Sequence, residues 1–172
     1  MRHLLLFEQW LPYPVPTLFD FFANPENLPP LMPAWQAAHI TNLRLAAPPA
    51  PGRPTAGTPV AGSGTTMTIR FRPVPYSPIE LSWDAVITEF TWDDHFCDEQ
   101  VRGPFGYWRH CHRLVAETRD GIAGAKVTDD VTYAMKFGGI GEAANRMGGE
   151  RQVRSIFAFR QAQLPRLLAG RE

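Results

Sequence analysis

Tyr107-Trp108-Arg109-His110-Cys111-His112-Arg113-Leu114 alternates in character from one residue to the next. Successive side chains of a β-strand point to opposite faces, so Trp108, His110, His112 and Leu114 share one face. Tyr107, Arg109, Cys111 and Arg113 take the other, and two arginines mark it as the wet one. Both histidines are thereby assigned to the buried side. Downstream, Lys126 to Phe137 alternates again, with Asp129, Val131, Tyr133 and Met135 as its more apolar set. Between the two runs lies Asp120-Gly121, a strong hairpin signal. A hairpin centred there keeps the sum of paired residue numbers constant, which sets Asp129 opposite His112 and Val131 opposite His110. A buried imidazole N–H needs an acceptor, and a carboxylate provides one.

The same period extends upstream. Thr66 to Arg72 alternates, Ile79 to Thr91 puts Ile79, Leu81, Trp83, Ala85 and Ile87 on one side, and His95 to Arg102 is the next strand, closed by a turn at Gly103-Pro104-Phe105-Gly106. Earlier still, His3 to Leu11 reads as a strand ended by Pro12 and Pro14, and Ala37 to Leu45 as another. Pro16 to Ala23 is a short helix with proline in its first turn, and Asn24-Pro25-Glu26 starts a second. After the strands the period turns helical. Val153, Ile156, Phe157, Arg160, Leu164, Leu167 and Leu168 form the stripe of a long closing helix, which Pro165 is expected to kink or restart. Gly138-Gly139-Ile140-Gly141 reads as a flexible turn before that helix, and Met147-Gly148-Gly149 as a weak point where it can break or hinge. This order predicts an α+β architecture: a seven-stranded antiparallel sheet wrapped around one long helix, with two short helices after the first strand. Where sheet and helix diverge, a gap lined by aromatic side chains is expected.

Length and composition place limits on the reading. The 172 residues, 44% apolar and 20% charged, suit a single domain spanning 1–172. Seventeen basic residues cancel seventeen acidic ones, which leaves no basic excess for nonspecific nucleic-acid binding. No apolar run is long enough to span a bilayer, and the opening Leu4-Leu5-Leu6-Phe7 is too short for a signal peptide. Two cysteines, Cys97 and Cys111, make no disulfide framework, so a cytoplasmic protein with free structural thiols is expected. Twelve of the seventeen prolines precede residue 60. They punctuate the first elements and mark a Pro/Gly-rich excursion over 46–64, either a lid or an insertion.

The element order resembles the START-like (SRPBCC) helix-grip superfamily, which includes birch-pollen-type allergens, lipid-transfer START domains and polyketide cyclase/dehydrase and lipid-transport proteins. The likeness spans the chain. Gly103 to Leu114 looks like the Gly-Pro-Phe…Trp-x-His-x-His segment of one bacterial branch. Asp129-Asp130-Val131-Thr132-Tyr133, Phe137 to Gly141 and Ile156-Phe157-Ala158-Phe159-Arg160 resemble it too. The resemblance implies a helix-grip fold and a hydrophobic or amphipathic small-molecule partner (lipid, polyketide or aromatic). It leaves activity open, because carriers, sensors and enzymes share the fold.

Candidate site residues follow from the inward faces. Trp83, Trp108, Tyr133 and Phe157 would form the aromatic wall, and His110, His112 and Asp129 would orient a ligand. The parity of 95–102 is open from the residues themselves. A likeness of Phe96 to Gln100 to a Phe-x-Asp-x-Gln pattern in the same branch implies Asp98 and Gln100 inside. His112 with Asp129 could be a satisfied core contact, a ligand anchor or the proton-transfer pair of a cyclase or dehydratase. His-x-His plus a carboxylate is a weak metal signal, so no metal is assigned. The glycines after Lys136 lack P-loop spacing, and no cofactor is expected. A collapsed pocket serving protein–protein contact is the remaining alternative.

Overall fold

The computed structural model describes residues 1–170 except Pro54 and Ala56. Seven strands form one antiparallel sheet in the order β1-β7-β6-β5-β4-β3-β2. They are β1 (His3–Leu11), β2 (His39–Arg44), β3 (Thr66–Phe71), β4 (Leu81–Thr91), β5 (His95–Arg102), β6 (Tyr107–Arg119) and β7 (Ile122–Ala134). Helix α1 (Val15–Ala23) follows β1, and the second short helix is a succession of 3-10 turns at Pro25–Asn27, Pro29–Leu31 and Ala34–Gln36. Asn24 caps the first of them, its side chain accepting the Glu26 N–H at 3.1 Å.

The central hairpin pairs Arg119 with Ile122, so its loop is only Asp120-Gly121. Both residues have positive φ, 49° and 77°, as a two-residue turn of this twist requires. Strand β7 therefore begins at Ile122 rather than Lys126, because the turn lets pairing start at once. At the other end, β4 starts at Leu81 and Ile79 is exposed, outside the strand. Two irregularities in β4, at Asp84/Ala85 and Ile87/Glu89, bend it against β5.

The expected turn at Gly138–Gly141 is already helix: α2 spans Gly138–Ala144, a π turn covers Asn145–Gly149, and α3 runs over Glu150–Ala169. The break falls where the glycines place it, with Gly148 at φ 158°. Pro165 lies inside α3, which continues past it to bury Leu168. A proline there deprives the Gln161 carbonyl of its helical donor. The Gln9 side chain of β1 supplies the missing N–H at 2.9 Å, and Gln161 returns its own amide to the Glu8 carbonyl at 3.0 Å.

The thiols expected to be free are joined. Register sets Cys97 opposite Cys111 on the outer face of the sheet, with 4.0 Å between Cα atoms, and a disulfide links them. Counting two cysteines could not reveal this, because antiparallel pairing brings together residues distant in sequence. The 46–64 excursion packs against α1 and the β4–β5 turn and puts Val60 and Ala61 in the core (Pro54 and Ala56 lie beyond the described residues). Arg53 forks onto Asp93 at 2.7 Å and Asp20 at 2.8 Å, and Trp92 donates to the Pro49 carbonyl at 2.9 Å. Only Ala61 of its described residues reaches the interior gap.

If the Gln9 amide replaces the donor lost at Pro165, Gln9→Ala should cost about 1 kcal/mol. The cost should shrink in a Pro165→Ala background, where the helix supplies its own donor. Urea unfolding of the four members of this double-mutant cycle measures the coupling, and strict additivity would refute the substitution of one donor for the other.

Candidate functional site

Between the concave face and α3 lies a cavity of about 340 Å³, within the ~300–1,000 Å³ range of small-molecule sites. The strand period builds its wall. Met67, Ile69 and Phe71 come from β3, Trp83, Ala85 and Ile87 from β4, Phe96 and Asp98 from β5, and Trp108, His110 and His112 from β6. Val153, Ile156, Phe157 and Arg160 of α3 close it from above. Trp83 and Trp108 meet edge to face with centroids 4.9 Å apart, and Phe105 lies 4.8 Å from Trp108. A second cluster, built on Leu11, Leu18, Phe19, Leu114 and Leu164, seals the α1 side.

One end of this wall is polar. The register Asp98↔His110 and His112↔Asp129 places these four side chains on adjoining inward positions of β5, β6 and β7. Asp129 Oδ1 lies 2.9 Å from His110 Nε2 and 2.8 Å from His112 Nδ1. An ionised carboxylate only accepts, so both rings donate to it, which fixes their tautomers when neutral. Arg160 reaches down from α3, its Nη2 3.8 Å from Asp129 Oδ1 and 3.4 Å from the His112 ring nitrogens. Phe22 stacks on His112 at 5.2 Å and underlies the Arg160 guanidinium at 5.1 Å. Asp98 Oδ1 stands 3.6 Å from His110 Nδ1.

Burial and the charges around Arg160 together set the protonation of this cluster. Desolvation, with the charges of His110 and Arg160 added, pushes His112 down to about 3. Burial alone would raise Asp129, but Arg160 and the two imidazoles outweigh it and keep the carboxyl well below its usual range. Asp98 is pushed upward by burial, which nearby His110 and Arg160 only partly oppose.

Of the residues singled out from sequence, Trp83, Asp98, Trp108, His110, His112 and Phe157 line the cavity. Three others sit behind or beside the wall. Asp129, 3% exposed, lies beneath the histidines. Tyr133 is fully buried and donates to Asn145 Oδ1 at 3.1 Å. Gln100 clasps the neighbouring turn, donating to the Phe105 carbonyl at 2.8 Å and accepting its N–H at 3.2 Å. The inward parity of Asp98 agrees with the Phe-x-Asp-x-Gln likeness. Arg160, on the apolar stripe of the closing helix, is a site residue that the sequence reading does not single out; an arginine within such a stripe is the available signal. Asp98, His110 and His112 also offer three ligand atoms within 4.8 Å of one another. The guanidinium beside His112 repels a second cation.

The sign of the pH dependence follows. The folded pKa of His112 is depressed, so the unfolded chain binds its proton first, and stability is lost as pH falls from 6.5 towards about 3. Asp129 adds to that loss below its unfolded value of 3.8. Asp98 acts oppositely, giving stability at low pH that is lost as pH rises through its raised folded value. Urea midpoints should fall across this acid window in the wild type and fall less in His112→Asn, which keeps a donor for Asp129. Identical slopes in the two proteins would show that His112 is not held neutral.

No family model matches the sequence, and no curated protein matches it. Solved structures match it in shape. Protein Ms6760 from Mycobacterium smegmatis has a TM-score of 0.62 over 98% of this chain and 92% of its own, at 15% identity. Ara h 8.0201 gives 0.58 over 94% and 97%, at 16% identity. Norcoclaurine synthase from Thalictrum flavum, in complex with dopamine and hydroxybenzaldehyde, gives 0.57 over 95% and 86%, at 12% identity. The chain has the helix-grip fold expected from its element order, and at these identities the likeness carries the fold alone.

Proposed function

We propose that the protein binds a hydrophobic or amphipathic small molecule in the cavity between its sheet and α3. The observation that carries this reading is the cavity itself, about 340 Å³ of largely apolar wall with a buried polar cluster at one end. An apolar wall provides burial and a few convergent polar groups provide orientation, the usual division of labour in such sites. A void of this size also disfavours a collapsed pocket used for protein contact. Thalictrum flavum norcoclaurine synthase, of the same fold, was solved with dopamine and hydroxybenzaldehyde bound, which supports small-molecule binding as the general use. Proton transfer by His112 and Asp129 finds less support. The imidazole is held far below neutral pH in basicity, and its Nδ1–H is committed to a carboxylate behind the wall.

N-phenyl-1-naphthylamine, a neutral apolar probe, should brighten on binding the wild type. Ala85→Phe places a ring in the cavity between Trp83 and Ile87, and should weaken the probe about tenfold or more, roughly 1.4 kcal/mol. Circular dichroism should show the fold retained. A wild type that leaves the probe dark, or a folded variant that binds it equally well, would remove the cavity as the binding site.

A further inference from the structure

Three residues that line this cavity carry a buried polar atom with no hydrogen-bond partner among the described residues: Arg160 Nε, Trp83 Nε1 and Gln36 Oε1. Folded proteins leave few such groups unpaired, and each needs a reason. Water could serve the neutral Trp83 and Gln36 groups, but a buried guanidinium N–H calls for an anionic oxygen, and nothing in the protein supplies one to Nε. Arg160 is the most demanding. The residue is 7% exposed, and its charge has been taken from water onto the apolar stripe of α3.

Its compensation inside the protein is thin. Asp129 Oδ1 already accepts from both imidazoles at 2.9 and 2.8 Å, and approaches Arg160 only to 3.8 Å. On the Nη2 side the guanidinium meets neutral His112, and its face rests on Phe22 and Phe157. The Nε–H is left for something else. Asp98, the other acid beside the histidines, is pushed by burial towards its neutral form and so opposes an incoming anion weakly.

We infer that the ligand is an elongated organic anion, whose carboxylate-type oxygen accepts from Arg160 Nε while its apolar body runs towards Trp83. The length follows from the strand. Trp83 and Ile87 are four residues apart on β4, about 13 Å at ~3.3 Å per residue, and Ile87 pairs with Asp98 at the polar end. The inference rests on the cavity reading above and adds the sign and position of the ligand's charge.

Displacement of N-phenyl-1-naphthylamine by dodecanoate, dodecan-1-ol and dodecylammonium tests it, because the three share a chain and differ in the head group. In the wild type, dodecanoate should displace the probe at a concentration about tenfold or more below that of the alcohol, as a charge-assisted hydrogen bond would give. Arg160→Gln should bring that ratio close to one. Arg160→Lys, which keeps the charge and loses the Nε–H, should retain an intermediate ratio and serves alone if the glutamine variant fails to fold. Equal displacement by acid and alcohol in the wild type, a ratio unmoved by both variants, or tighter dodecylammonium would overturn the anion assignment and leave the cavity reading intact. Failure of the probe to bind at all would overturn the cavity reading itself.

Discussion

A single carboxylate, that of Asp129, ties together the elements that make the cavity. It is 3% exposed and ionised, and such a charge persists inside a protein only when it is paired and hydrogen-bonded. Its partners come from two elements: His110 and His112 from β6, and Arg160 from α3. The register of the β6–β7 hairpin sets the histidines against the carboxylate. The position of Arg160 on the apolar stripe of α3 sets where the helix must cross the sheet. Moving that hairpin by one residue would turn Asp129 to the outer face and leave an arginine buried among phenylalanines.

Above this polar end the wall is apolar for a geometric reason. Side chains two apart on a strand share a face, so each inward row advances ~6.6 Å along the sheet. From the Phe96–His112 row the wall passes through Asp98–His110 to the aromatic group of Trp83, Trp108 and Phe105. The irregularities in β4 increase the bend where that strand turns away from the helix. One end of the gap is therefore charged and hydrogen-bonded, and the other is aromatic.

Much of this was legible in the sequence because it depends on local period and turn chemistry. Asp120-Gly121 defined the hairpin, and the hairpin defined which residue faces His112. The parity of β5 was not readable from its own residues, since Phe96, Cys97, Asp98, Glu99 and Gln100 alternate without a clear dry face. The disulfide escaped because two cysteines fourteen residues apart gain a relation only through the register between strands. Parity puts Tyr133 on the wall, and the Phe-x-Asp-x-Gln likeness puts Gln100 there. Parity says which face a side chain leaves from, and says nothing of whether a turn or a helix then covers it. Gln100 is taken by the Phe105 turn and Tyr133 by Asn145. Arg160 was visible as a residue and hidden as a function, because its meaning depends on an acid carried by another element.

The persistence of the cavity needs a cause, since an apolar void forgoes the contacts its lining would make with a filled interior. Apolar packing alone would draw α3 towards the sheet until the gap closed. Polar contacts of defined length resist this at three heights. At the N-terminal side, Asn145 of the π turn accepts from Tyr133 at 3.1 Å, and His3 meets Glu142 of α2 at 2.8 Å. In the middle, Arg160 stands over the Asp129 cluster. At the far side, Gln9 and Gln161 latch β1 to the helix at the carbonyl that Pro165 leaves open. Collapse would require breaking polar contacts at each of these points, buried ones at Tyr133–Asn145 and at Arg160, and an unpaired buried polar group costs more than the dispersion recovered from a few added contacts. The break at Gly148 makes the arrangement possible, because it lets α2 follow the ends of β1 and β7 while α3 takes the direction that Asp129 dictates.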